Sequence, residues 1–294
     1  MTHPPLHSRL TSSARVEEIA DGHYRLVIPA GKADEYRLAQ LDDYAQIPKR
    51  RLFPHRFGLT LSLSARTSNS SLPGTWGFGL WNDPFGWSLG FGGRALRVPA
   101  LPNAAWFFGA SEENYLSFSE KPANGFLAQT FRSPKFHPLL IPAGLALPFS
   151  RKWTRRLLSR VIAEDGLNLN STHLPAPSAL ENAEYANMNP EYANRSADDA
   201  NTNSGRSLTP QKKAVGVDPA QWHRYRLEWS PKRVSFEVDE VRVFESAVSP
   251  NPPMGLVIWI DNQYAAFTPA GKIRFGVLAN PEPAWLEVKN LEVS

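Results

Sequence analysis

The sequence predicts an all-β protein, a sandwich of two antiparallel sheets. The main observation is a period-two pattern running from Trp222 to Phe244. Tyr225, Leu227 and Trp229 alternate with Arg224, Arg226 and Glu228. After Ser230-Pro231-Lys232, Val234, Phe236 and Val238 alternate with Ser235, Glu237 and Asp239. Such alternation marks strands that each bury one face. The second observation is punctuation: 26 prolines and 19 glycines break the chain into short segments, as many strands joined by turns require. The third is the apolar content, 42% hydrophobic with 9 Trp and 16 Phe, which fills the core of one large sandwich. Residues 1–294 therefore read as a single β-sandwich domain.

Taken in order, the first 22 residues contain no apolar stretch of the kind a secretory signal needs. No apolar run reaches the roughly 18 residues of a membrane span. With no cysteine there are no disulfides and no thiolate metal sites, which fits a reducing compartment, and the expected location is cytoplasmic. A net charge of +4 is too mild to imply nucleic acid. His23 to Pro29 and Phe57 to Ala65 read as early strands, while Asp34 to Phe53 is mixed and has no clear assignment. In the next segment Trp76, Phe78 and Leu80 share one face, with Gly77, Gly79, Trp81 and Asp83 on the other. Large side chains opposite glycines mark a core side and a side open to close approach. Ala105 to Phe108, Tyr115 to Phe118 and Gly125 to Phe131 are further strands. Residues 133–163 read as a basic amphipathic insertion, and 164–213, rich in Asn, Ala and Ser, as a disordered loop. Gly255 to Phe267, Gly271 to Ala279 and Trp285 to Val293 complete the strands.

The run WHRYRLEWSPKRVSFEVD, from Trp222 to Asp239, resembles the late strands of laminarinase-like glycoside hydrolases of family 16, within the concanavalin A-like lectin/glucanase superfamily. Gly74, Thr75, Trp76 and Trp81 loosely resemble a strand beside that family's substrate cleft. The resemblance implies a concanavalin A-like jelly roll with one concave sheet that meets carbohydrate. It also implies a catalytic E-x-D-x-x-E or E-x-D-x-E strand, and this sequence has none. Glu112 and Glu113, where that strand would fall, are adjacent and would point to opposite faces.

The sequence thus points to a protein without the family's catalysis that binds carbohydrate or a related polar ligand on the concave sheet. The expected contacts are Trp81, Asp83, Trp259, Asp261, Asn262, Gln263 and Tyr264, indole faces beside carboxylates and amides. In the competing reading, Asn82-Asp83 and Asp261-Asn262 cap turns. One alternative function is a glycoside hydrolase or lyase with displaced carboxylates, Asp83 and Asp261 first, Glu112 and Glu113 after them. Another is a peripheral membrane or scaffolding protein. There Trp153 and Leu157 would face an anionic membrane or a protein partner, with Arg155, Arg156 and Arg160 on the opposite side of a helix. His223 is in phase with Tyr225 and Leu227, as a satisfied buried histidine would be. The sequence carries no metal-binding spacing and no cofactor motif.

Overall fold

The structure is a computed structural model and describes residues 5–11, 13–84, 97, 100–115, 117, 124–134, 161–170, 216–267 and 273–294. The chain divides into two compact units, Met1–Asn170 with Asp218–Ser294, and Ser171–Val217. The first unit is the sandwich described below.

Two seven-stranded sheets form it. In the first, the order is β1 (His7–Leu10), β4 (Leu38–Asp42), β13 (Gly255–Asp261), β6 (Thr75–Trp81), β7 (Ala104–Ala110), β8 (Gly125–Arg132) and β9 (Ala163–Asn168). In the second it is β12 (Val241–Ser246), β11 (Val234–Val238), β10 (His223–Trp229), β5 (Leu59–Thr67), β16 (Ala284–Val293), β3 (His23–Ile28) and β2 (Arg15–Ala20). Neighbouring strands run antiparallel throughout both sheets. A small ribbon pairs β14 (Gln263–Phe267) with β15 (Ile273–Val277). This is the jelly-roll β-sandwich that the sequence predicts.

The core forms because the alternating apolar residues of the two sheets meet. Phe78 and Phe107 of the first sheet lie 5.0 and 4.9 Å from the Tyr225 ring of the second. Phe107 also meets Phe236 edge-on at 5.2 Å. Such aromatic pairs add about 0.5–1.5 kcal/mol each beyond the area they bury. Trp229 is fully buried, yet its indole N–H donates to Ser249 Oγ and the Pro250 carbonyl, so its burial leaves no polar cost.

The hairpin between β11 and β12 turns on Asp239 and Glu240, both with positive φ (49° and 68°). That is the conformation a two-residue hairpin of matching twist demands. Asp239 does more than turn the chain. Its carboxylate accepts the Arg224 N–H at 2.8 Å and meets His223 Nδ1 at 2.6 Å. His223 Nε2 reaches the Asp218 carbonyl at 3.0 Å, so the histidine is satisfied on both sides, although half-buried rather than buried.

Two strand assignments need correction. The segment read as a disordered loop from 164 begins with β9, which pairs along β8 from Arg132↔Ala163 to Leu127↔Asn168. The rest of that segment to 213, and most of the basic insertion, lie outside the described residues. Of the segment Tyr115 to Phe118, the described Tyr115 bridges to Ala266, and 116 and 118 lie outside the described residues. The continuous strand read through Gly255 to Phe267 breaks at Asn262. Its buried amide accepts the Arg37 N–H at 2.8 Å and donates to the carbonyls of Glu35 (3.0 Å) and Leu278 (2.8 Å). Those bonds hold the chain where it leaves one sheet for the ribbon. β4 lies in the stretch that the sequence left unassigned.

Candidate functional site

The register of the first sheet fixes which side chains share its outer face, the one turned away from the second sheet. One row runs Gln40, Trp259, Gly77, Phe108, Leu127, and the next runs Asp42, Val257, Gly79, Trp106, Gln129. Trp81 stands one row further, opposite Gly255. Glycine recurs here because aromatic rings lie flat on the backbone. A Cβ on Gly77 would fall 2.8 Å from the tip of the Trp259 indole and 2.4 Å from the Phe107 carbonyl. A Cβ on Gly255 would fall 2.3 Å from the Tyr44 ring. The close approach that the glycines of β6 invite is made by the protein's own indole. Gly77→Ala is expected to cost about 1–3 kcal/mol through overpacking, read as a lower urea midpoint.

Three indoles gather on this face. Trp81 and Trp259 are parallel within 6° at 6.4 Å, and Trp106 lies 6.1 Å from Trp81 and 5.4 Å from Trp259. Phe108 stacks on Trp106 at 5.2 Å. Each indole N–H is committed inside the protein. Trp81 donates to Tyr44 Oη (2.6 Å), Trp106 to Gln129 Oε1 (3.3 Å) and Trp259 to Thr75 Oγ1 (3.0 Å). The cluster therefore offers ring faces and edges, with its polar atoms spent on orienting the rings. Trp259 is only 8% exposed, whereas Trp81, Trp106 and Tyr36 are half-buried.

Asp261 sits at one end of this row, 6% exposed. Its Oδ1 accepts the Thr75 hydroxyl at 2.8 Å and the N–H groups of Thr75 (3.2 Å) and Gln263 (3.3 Å). Its Oδ2 accepts from Tyr36 Oη at 3.2 Å. Burial pushes this carboxyl up to about 6 against the pull of those hydrogen bonds. Burial, then the neighbouring Asp261 charge, raises the Tyr36 phenol well above its ordinary value. Asp42 is also raised by burial, despite hydrogen bonds from Gln40, Ala45 and Tyr44.

The carboxylates do not pair for hydrolysis. Asp261 lies opposite Thr75 at one end of β6, while Asp83 follows Trp81 at the other. Six residues of strand separate those ends by about 20 Å, against about 5–10 Å for a glycosidase pair. Asp83 is instead buried in an ion pair with Arg97, and its carbonyl accepts from Arg50 Nη2 at 2.6 Å. These contacts give it a structural role. Asp42 lies four residues along the adjacent strand from the partner of Asp261, about 13 Å away. Glu164 stands on β9, at the far edge of the sheet. Asp261 therefore has no partner at glycosidase spacing among Asp42, Asp83 and Glu164.

Of the residues expected at the site, Trp81, Trp259 and Asp261 come together. Asn262 and Asp83 belong to the scaffold. Gln263 and Tyr264 belong to the separate ribbon, so Gln263 does not continue the face of Trp259. Glu112 and Glu113 are exposed in the turn after β7, closed by the Asn114 N–H on the Ser111 carbonyl, and lie on no strand. Trp153, Arg155, Arg156, Leu157 and Arg160 lie outside the described residues. Trp106, Phe108, Tyr36 and Gln129 were not singled out from the sequence. The alternation in Ala105-Trp106-Phe107-Phe108 held the signal, since it places Trp106 and Phe108 opposite the core-facing Phe107.

Among the described residues no group of three or more His, Cys, Asp or Glu is placed to hold a metal, and no helix is long and apolar enough to cross a membrane. No protein-family model and no curated protein matches the chain. Similar solved structures include a beta-glucanase from Bacillus licheniformis, at 9% identity and a TM-score of 0.41 over 93% of this chain and 79% of that one. A legume lectin-like domain from Entamoeba histolytica is similar at 8% identity and a TM-score of 0.43, over 98% and 89% of the two chains. A putative beta-glucanase from Mycobacterium abscessus is similar at 12% identity and 0.39, over 92% and 75%. These likenesses are weak, and the fold stands on the strand order and register above.

Proposed function

We propose that this protein binds a carbohydrate, without cleaving it, on the outer face of the first sheet. The observation that carries the proposal is the group of three indoles, Trp81, Trp106 and Trp259, held within 5.4–6.4 Å of one another by internally bonded N–H groups. Fixed aromatic faces suit the C–H faces of a sugar ring and cost little entropy to present. The half-buried Trp81 and Trp106 carry the contact, and Trp259 supports them from beneath. Binding without cleavage is supported by the lack of a carboxylate partner for Asp261 at glycosidase spacing among Asp42, Asp83 and Glu164.

The test is a polysaccharide-binding screen with reducing-sugar release recorded in the same wells. Binding without release is expected, weakened at least about tenfold (roughly 1.4 kcal/mol) in Trp106→Ala and in Trp81→Ala. Thermal melts of both variants establish that they remain folded. Full binding by both variants, or sugar release by the unmodified protein, would sink the proposal.

A further inference from the structure

The outer face of the second sheet carries a cluster that the carbohydrate reading does not use. Glu287 lies opposite both Arg25 and Arg66 in the register of β16 with β3 and β5. It is 2% exposed and accepts from Arg25 Nη2 at 3.1 Å and Arg66 Nη2 at 3.1 Å, with His23 Nε2 at 2.7 Å. Burial opposes ionisation of this carboxyl, but the hydrogen bonds from Arg25, His23 and Arg66 hold it below its ordinary value.

Two indoles frame the cations. The Arg66 guanidinium lies 4.8 Å from the Trp222 ring and 5.4 Å from that of Trp285. Arg25 lies 5.2 Å from Trp285, and Lys289 Nζ 4.1 Å from Trp222. Rings that hold guanidinium planes in place reduce the order an incoming anion must impose. Elsewhere on this sheet the cations are paired, Arg226 with Glu228 along its own strand and Glu237 across, Arg242 with Glu237 across and Glu245 along its own strand. Around Glu287 the balance breaks, because Arg25 and Arg66 share one carboxylate and Lys289 lies on the Trp222 ring, while Glu17, opposite Arg25 on β2, pairs with Arg15. The Arg25 and Arg66 side chains remain 34% exposed, and neither Nη1, nor Lys289 Nζ, has a hydrogen-bond acceptor in the described protein.

We propose that this face holds an oxyanion site that takes a phosphate monoester through Arg25, Arg66 and Lys289. An excess of two positive charges matches a doubly charged tetrahedral group, and the guanidinium forks match its oxygen spacing. Glu287 lies beneath and fixes the forks without reaching the ligand.

The experiment titrates the full chain with inorganic phosphate, sulfate and chloride at constant ionic strength, following indole and guanidinium NMR resonances. Phosphate and sulfate are expected to give saturable shifts at Trp222 and Trp285, where chloride gives none. Arg66→Gln and Lys289→Met are each expected to weaken binding at least fivefold. Arg226→Gln, on the same face but paired with two glutamates, is expected to leave it unchanged. If Arg66→Gln unfolds the protein, Lys289→Met alone decides, since its ammonium carries no bond of the fold. Equal shifts with chloride, linear unsaturated shifts, or unchanged affinity in Lys289→Met would each overturn the site.

Discussion

Asp83→Asn is expected to destabilise the protein by about 3–5 kcal/mol, the cost of leaving a buried charge without its partner. The Asp83 and Arg97 side chains are only 2% and 3% exposed. Arg97 also donates to the carbonyls of Tyr44 (2.7 Å) and Ile47, and its guanidinium lies 4.9 Å from the Phe53 ring and 5.4 Å from that of Tyr44. Carbonyl dipoles and ring faces do not replace a full negative charge in a dry setting. Asn keeps the shape of the side chain and tolerates the positive φ of 47° at this position, so the change isolates the charge. The measurement is urea unfolding, with a lower midpoint and an unchanged slope as the expected result. Adding Arg97→Met is expected to recover part of the loss, because replacing both partners removes the stranded charge. An unchanged midpoint together with lost polysaccharide binding would return Asp83 to the ligand.

The sequence could not place Asp83 because Arg97 lies beyond an intervening stretch with no pattern of its own. An Asx residue after a strand reads equally as a turn cap or as a ligand contact. The sandwich itself was legible. In β10 one face is buried and the other charged, and alternation reports that asymmetry directly. In β13 every residue is buried, so its pattern carries no information about where the strand ends. The break at Asn262 is set by carbonyls of Glu35 and Leu278, far away in the chain. The edge strands β1 and β2, HSRL and RVEEIA, have too little apolar periodicity to stand out. At the site, glycine alternation in β6 correctly marked a face of close approach. Only the register with β7 and β13 shows that Trp106 and Trp259 occupy it.

Asp261→Asn is expected to stabilise the protein by about 2–3 kcal/mol at pH 7.5 and to change little at pH 4. The reason lies in the direction of the carboxyl's shift, from 3.8 to about 6, which burial causes. As pH rises from about 4, the unfolded chain gives up this proton first, while the folded chain keeps it until about pH 6. Across that window the native state binds more protons, so stability falls with rising pH and levels off above it. A rise of about two pH units corresponds to about 3 kcal/mol, fully present as stability below pH 4 and lost by pH 7. Asn mimics the protonated acid. Its oxygen can take the three bonds that Oδ1 accepts from Thr75 and Gln263, and its NH2 can donate to Tyr36 Oη where Oδ2 now accepts. Comparing urea midpoints of the two proteins at both pH values cancels other titrations, including that of Asp42, which burial shifts the same way. Because Thr75 Oγ1 also receives the Trp259 N–H, the variant further tests whether the indole group needs this charge. Polysaccharide binding retained in a more stable Asp261→Asn would assign the binding to the rings alone. A variant less stable than the parent at pH 7.5 would mean that the hydrogen bonds outweigh burial and that the acid is ionised at neutral pH.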